Sequence, residues 1–250
     1  MKILRLTNSN DVLAGATPER PRLLAEKLEA YFGEPFEIVV KTPWPTPALP
    51  SVVDKWLDRE QPDAVFLHIP NYWVSYPSVP LRLARLLGRP GTWLARLGFA
   101  AAENPLIGPS LPFRLGRQVL LRTIGGDYHF EPEEVAACVE AIAHRILQRE
   151  SLMFAVWGPH GRYDWSVTGA QKRKARDRQA QLVASLQQIS RELRFPYSGR
   201  TDPAYLTGET PELAADRFHF APSFGVASAE EQFTFYRDVI ETARLARRPR

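Results

Sequence analysis

Three side chains in this 250-residue sequence have the types needed to attack a carbonyl carbon: Ser9 near one end, and Asp216 and His219 near the other. Such chemistry takes a hydroxyl, a base to remove its proton, an acid to orient the base, and donors to hold the oxyanion. Ser9 lies in the turn-rich stretch Thr7-Asn-Ser-Asn-Asp11, directly after the apolar run Ile3-Leu-Arg-Leu6. A loop carrying Asp216-x-x-His219 lets the carboxylate reach imidazole Nδ1 while Nε2 faces the serine. Each residue also has a plain structural reading. Ser9 is of a type that caps turns, Asp216 could do the same, and His219 could pack against Phe218 and Phe220.

The elements that must position these residues alternate. Ile3–Leu6 reads as a strand, and Thr17 followed by Pro18 reads as the cap and first turn of a helix that Gly33 stops. Phe36–Val40 is β-rich, and a loop from Pro43 to Pro50 follows. Ser51-x-x-Asp54 resembles a capping box opening a helix with Val53, Trp56 and Leu57 on one side. Asp63–Ile69 is a near-continuous apolar strand of the kind buried on both faces of a parallel sheet. The order β-α-β-α-β predicts an α/β fold, a three-layer α/β/α sandwich with a mostly parallel, flavodoxin-like sheet. In such a sheet functional loops belong at the carboxyl ends of the strands, which is where Ser9 lies.

After Asn71 the rhythm pauses. Leu81-Arg-Leu-Ala-Arg-Leu-Leu87 and Trp93-Leu-Ala-Arg-Leu97 read as short amphipathic helices within a Leu/Arg-rich insertion at about residues 73–123. That insertion could cover the sheet, cap a site, support self-association or meet a membrane surface. The alternation resumes with a helix at 131–150, a strand at 152–157, a helix at 170–193, a short strand at 195–197 and a helix at 228–245. With no repeat or low-complexity linker, residues 1–250 read as one domain.

Composition excludes several classes. Hydrophobic residues are 44% and charged residues 24%, ordinary for a globular protein. The one cysteine, Cys138, rules out an internal disulfide and sits in an apolar run, as a small core residue would. No stretch is long and apolar enough to cross a membrane. Met1-Lys-Ile-Leu-Arg-Leu-Thr lacks the unbroken apolar region of a signal peptide, so a cytoplasmic location is expected. The net charge of +4 comes mainly from scattered arginines with no nucleic-acid motif, and nucleic acid is not expected as a partner. No histidine, cysteine and carboxylate spacing recommends a metal site. His68 inside a strand, His144 on a helix, Asp127-Tyr-His129 and Gly158-Pro-His160-Gly161 read as structural or solvent-facing.

Read in order, three blocks resemble the SGNH, or GDSL-like, hydrolases. Ile3-Leu-Arg-Leu-Thr-Asn-Ser9 is similar to their nucleophile block, with Thr7-Asn8 in place of Gly-Asp. Pro62-Asp-Ala-Val-Phe-Leu-His-Ile-Pro-Asn71 looks like the strand leading to their Gly-x-Asn-Asp. Asp216-Arg-Phe-His-Phe-Ala-Pro-Ser-Phe-Gly225 resembles their Asp-x-x-His block and the helix after it. The resemblance implies an ester hydrolase without a cofactor: Ser9 as nucleophile, His219 as general base then acid, and Asp216 as its orienting carboxylate. It puts the oxyanion on the Ser9 N–H, the Asn71 amide and the Thr46 N–H. Thr46 enters because the family's second-block glycine is missing between Lys41 and Pro50, where four prolines have no N–H to offer. Trp44, Tyr72 and Trp73 follow the pocket-lining strands and suit an acyl group or an acetylated sugar as the small-molecule substrate. The alternative is a non-catalytic relative that binds a ligand or partner through the same cleft.

Overall fold

The computed structural model describes residues 1–12, 17–104, 106–108, 110–161, 166–201 and 221–246. Five strands form one parallel sheet: β1 (Lys2–Leu6), β2 (Glu37–Lys41), β3 (Ala64–His68), β4 (Met153–Trp157) and β5 (Tyr197–Ser198). Their order is β2-β1-β3-β4-β5, with every neighbouring pair parallel. The α/β sandwich expected from the alternating pattern is therefore the observed fold. The order reverses between β1 and β3, so the loops leaving these two strands diverge and open a crevice at their carboxyl ends.

Helices cover both faces because both faces are apolar. Leu4, Leu6, Val65, Leu67, Phe154 and Val156 point to one side, where they pack with α2 (Leu49–Glu60), α7 (Pro132–Leu147) and α8 (Gly169–Leu193). Ile3, Ala64, Phe66 and Ala155 point to the other, against α1 (Arg20–Phe32) and α9 (Pro222–Ala246). All five residues of β3 are buried, as its unbroken apolar run demands.

Seven helices carry proline in their first two positions: α1, α2, α7, α9, and α4 (Val79–Leu87), α5 (Arg89–Glu103) and α6 (Leu111–Thr123). An N–H missing there costs nothing, because the first turn has no acceptor for it. This rule shifts two boundaries. The first helix is capped at Glu19 rather than Thr17, with Pro21 in its first turn. The Ser51-x-x-Asp54 box does not form, because α2 already begins at Leu49 and Asp54 instead pairs with Arg145 of α7. Two true capping boxes occur elsewhere, Glu131 with Glu134 and Thr168 with Gln171.

Between β3 and α7 the chain forms α3 (Tyr72–Ser75) and then α4, α5 and α6. The base of the α4–α6 segment is closed by reciprocal backbone bonds between Ser78 and Asp127 at 2.8 and 3.0 Å. The Asp127 carboxylate also pairs with Arg82 and Arg85 at 3.5 and 3.0 Å. Gln171 Nε2 donates to the Leu121 carbonyl at 2.7 Å and ties α6 to α8.

At the end of β4, Gly158 has φ of 87° and passes so close to β3 that a Cβ would press on the Ile69 carbonyl oxygen. Both the backbone conformation and the space require glycine. Gly158→Ala is expected to cost about 1–3 kcal/mol in a thermal or urea melt; an unchanged midpoint would mean the two strand ends can separate freely.

Candidate functional site

Ser9 opens a single 3-10 turn, Ser9–Asp11, that starts three residues beyond β1. Two anchors hold this turn. On the near side the Asn8 side chain caps it, its Oδ1 accepting from the Asn10 N–H at 3.0 Å and Asn10 Nδ2 at 2.9 Å. On the far side Asp11 is buried, and its carboxylate accepts from Arg5 Nε at 2.7 Å and Arg20 Nε at 2.6 Å. The hydroxyl-bearing residue is thus on a turn whose neighbours are fixed in the protein interior.

Arg5 is the centre of that anchoring. It projects from β1 to the α9 side of the sheet and has no exposed surface. Besides Asp11 it donates to Gln232 Oε1 at 2.8 Å, Tyr236 Oη at 2.8 Å and His68 Nε2 at 2.9 Å. Arg20 extends the network to Ser228 Oγ at 3.3 Å. Burial works against the Arg5 charge, but Asp11 and the other acceptors raise its affinity for the proton. Burial would likewise push the Asp11 carboxyl up, yet Arg20 and Arg5 hold it below the usual carboxylate range. The ion pair is complete, so the desolvation penalty is met by close partners on every side.

The same network holds His68. Burial, reinforced by the cations Arg5 and Arg20, holds His68 well below its ordinary value, so its ring is neutral. Arg5 can only donate; Nε2 must therefore accept, and the ring proton sits on Nδ1. Tyr236 Oη, 2.7 Å from the same nitrogen, then donates to it. His68 is structural, as expected of a histidine within a strand.

Asn71 occupies the loop after β3, three residues beyond the strand end, and β3 neighbours β1, whose loop carries Ser9. It is half-buried and begins α3, where its carbonyl accepts from Ser75 Oγ at 2.6 Å; its side chain does not cap the helix. The Thr46 N–H, by contrast, donates to the Trp44 carbonyl at 2.8 Å inside its own turn. That bond takes up the donor that the oxyanion assignment needed from the proline-rich loop.

Of the three aromatics expected to line a pocket, Trp44 is 42% exposed and Trp73 only 1%. Trp44 meets Phe130 and His129 edge-on at 5.1 and 5.5 Å and covers Trp73 at 6.3 Å. The assignment of Trp73 to substrate is corrected: it is a core residue, held beneath Trp44. Tyr72 is half-buried, and burial pushes its hydroxyl up to about 12. His129 is pushed down to about 4 by burial, which leaves it a neutral wall of this cluster. Cys138 is half-buried with its thiol pushed up to about 11 by burial, so it offers no thiolate.

Asp216 and His219 lie outside the described residues, in the segment directly before α9. Their expected roles stay with the sequence. What is visible is how the helix that follows them is held: Ser228, Gln232 and Tyr236 of α9 are the partners of Arg20 and Arg5. One buried network thus grips both the Ser9 turn and the helix that leads back to the Asp216/His219 segment. Sequence reading passed over this network entirely. Its one available signal was a charged residue, Arg5, in the middle of an otherwise apolar strand. Among the described residues no group of three or more histidine, cysteine or carboxylate side chains could hold a metal ion.

A five-stranded parallel sheet in the order β2-β1-β3-β4-β5 with helices on both faces is a fold that the chain shares with several solved esterases. It is similar to the psychrotrophic esterase EstA from Pseudoalteromonas sp., with 12% identity, a TM-score of 0.57, and 96% of this chain and 98% of that one covered. A family 3 carbohydrate esterase from Clostridium thermocellum is similar at 13% identity and a TM-score of 0.53, covering 97% and 98%. The acetylxylan esterase Axe2 from Geobacillus stearothermophilus follows at 15% identity and a TM-score of 0.53, covering 95% and 93%. At these identities the likeness is one of fold. No protein-family model matches the chain, and no curated protein matches it in sequence.

Proposed function

We propose that the chain is a serine hydrolase of the SGNH type that cleaves an ester bond, in a carboxylester or an acetylated carbohydrate. The observation that carries this reading is the Ser9 turn: a serine beyond the carboxyl end of β1, where the strand order reverses, on a turn capped by Asn8 and anchored by buried Asp11. A serine with only a turn-forming role would need no such foundation. Ser9 Oγ attacks the ester carbonyl while His219 takes its proton, and the carbonyl π electrons move onto oxygen. The tetrahedral oxyanion is held by the Ser9 N–H and the Asn71 amide. Collapse expels the alcohol, which receives the proton from His219, and leaves an acyl-serine that water hydrolyses by the same route. Asp216 orients His219 and stabilises its cation.

The similar esterase from Pseudoalteromonas was solved inhibited by monoethylphosphonate, which makes a phosphonate the natural first probe. A fluorophosphonate is expected to label the wild-type chain and not Ser9→Ala. Unlabelled wild type, or equal labelling of both, sinks the nucleophile assignment. The second reading, a non-catalytic protein that binds a ligand in the same crevice, is favoured by one observation: the Thr46 N–H is already spent on the Trp44 carbonyl. Two donors instead of three lower the rate by about 10²–10³, so slow labelling supports the hydrolase and none supports the binding protein.

A further inference from the structure

The α4–α6 segment is unlike the rest of the surface. Among the described residues, eleven of the seventeen large hydrophobic residues that are exposed lie between residues 86 and 120. On α5, Trp93 and Leu97 are one turn apart and 61% and 49% exposed; on α6, Leu111, Leu115 and Val119 continue at the same spacing, each more than half exposed. The turn between the two helices presents Leu106, at 84% the most exposed of all. These stripes carry a charge of one sign. Residues 79–123 contain seven arginines and one acid, Glu103, a net +6 that exceeds the +4 of the whole chain. Arg82 and Arg85 pair with Asp127, and Arg117 stacks over Tyr76. Arg89, Arg96, Arg114 and Arg122 have no carboxylate partner among the described residues.

Exposed leucine and tryptophan stripes flanked by arginine are the composition of helices that lie in a lipid–water interface. A second copy of the chain fits this surface poorly, since a two-fold contact would set unpaired arginines against unpaired arginines. An anionic bilayer meets both properties at once: acyl chains receive the apolar stripes and phosphates receive the guanidiniums. We propose that the exposed faces of α5 and α6 dock the protein on an anionic lipid surface, with Trp93, Leu97, Leu111 and Leu115 entering the headgroup–acyl boundary and Arg89, Arg96, Arg114 and Arg122 meeting lipid phosphates. The docking does not depend on Ser9 or on hydrolysis.

Flotation with phosphatidylcholine vesicles, with and without phosphatidylglycerol, tests it. The wild-type chain and Ser9→Ala are both expected to float with the anionic vesicles only, and to be released near 1 M salt, where the screening length falls to about 3 Å. Arg96→Gln and Arg114→Gln should each lower partitioning about fivefold, the effect of one juxtamembrane cation. Trp93→Glu with Leu97→Glu should abolish flotation while leaving the circular dichroism melt unchanged, and the wild-type tryptophan emission should shift to the blue on binding by more than that of Trp93→Phe. Failure of the wild type to float, equal flotation with neutral vesicles, or flotation of the doubly charged variant would overturn the proposal. So would a dimer, seen by analytical ultracentrifugation, that Trp93→Glu with Leu97→Glu disperses.

Discussion

Replacing Arg5 by methionine is expected to lower the stability of the fold by about 3–5 kcal/mol, the cost of stranding one member of a buried charge network. Methionine fills much of the volume but supplies no proton, so Asp11 keeps only Arg20, and Gln232, Tyr236 and His68 lose their common partner at the same time. A domain typically has about 5–15 kcal/mol in all, so much of the margin goes with one side chain. Arg5→Lys separates charge from geometry. It keeps the cation but has one nitrogen where the native residue uses three to reach four partners, and it should recover only part of the loss. Urea midpoints of the two variants provide the measurement. Equal stability of Arg5→Met and wild type would mean that the network is not what holds the Ser9 turn. Fluorophosphonate labelling of folded Arg5→Lys adds a readout that stability does not give: slower labelling at full folding would show the turn displaced.

Mild acid should destabilise the protein well before its carboxylates are neutralised. His68 is held well below its ordinary value by burial and by Arg5 and Arg20, and His160 is pushed down to about 3 by burial and by Arg200. For a histidine whose folded value is depressed, the unfolded chain binds the proton first. The stabilisation is complete above the unfolded value near 6.5 and is lost as pH falls towards the folded value. His160 should therefore remove roughly 2 kcal/mol between pH 6.5 and 4.5, at up to about 1.4 kcal/mol per pH unit, and His68 acts in the same direction. Glu231, pushed up to about 7 by burial, acts in the other sense: its folded form holds a proton that the unfolded form releases, which relieves part of the loss in acid. Urea titrations at pH 7, 5.5 and 4.5 would show the decline, and His160→Gln should flatten it by roughly the 2 kcal/mol assigned to that ring. A flat profile in the wild type would mean that both rings accept protons in the folded state.

The sheet was legible because its signal is redundant. β3 reads as doubly covered from five consecutive buried residues, and the β-α-β-α-β alternation leaves few topologies to choose from. Helix starts were less legible, since Ser51 and Thr17 have good capping chemistry but Pro50 and Pro21 fix the first turns from within. Trp73 misled for a different reason. An aromatic after a strand can face a pocket or the core, and only the position of Trp44 above it decides. Half of the candidate site is visible in the fold: Ser9 and Asn71 leave adjacent strands at the point where strand order reverses. The network beneath them was illegible because its members, Arg5, Asp11, Arg20, His68, Gln232 and Tyr236, are far apart in the chain and share no spacing. Only the packed sheet brings them together.

That distance also bears on how the chain is made. Arg5 belongs to β1, the first strand made, yet its bond to Tyr236 closes a loop of 231 residues. At a synthesis rate of about 5–20 residues per second, roughly ten to fifty seconds separate the appearance of the arginine from that of its tyrosine. Throughout that interval the face of β1 that carries Arg5 has its early partners Asp11 and His68 but lacks its α9 cover. Until α9 arrives, the side of the sheet bearing Ile3, Ala64 and Phe66 therefore stays partly uncovered and within reach of chaperones and proteases.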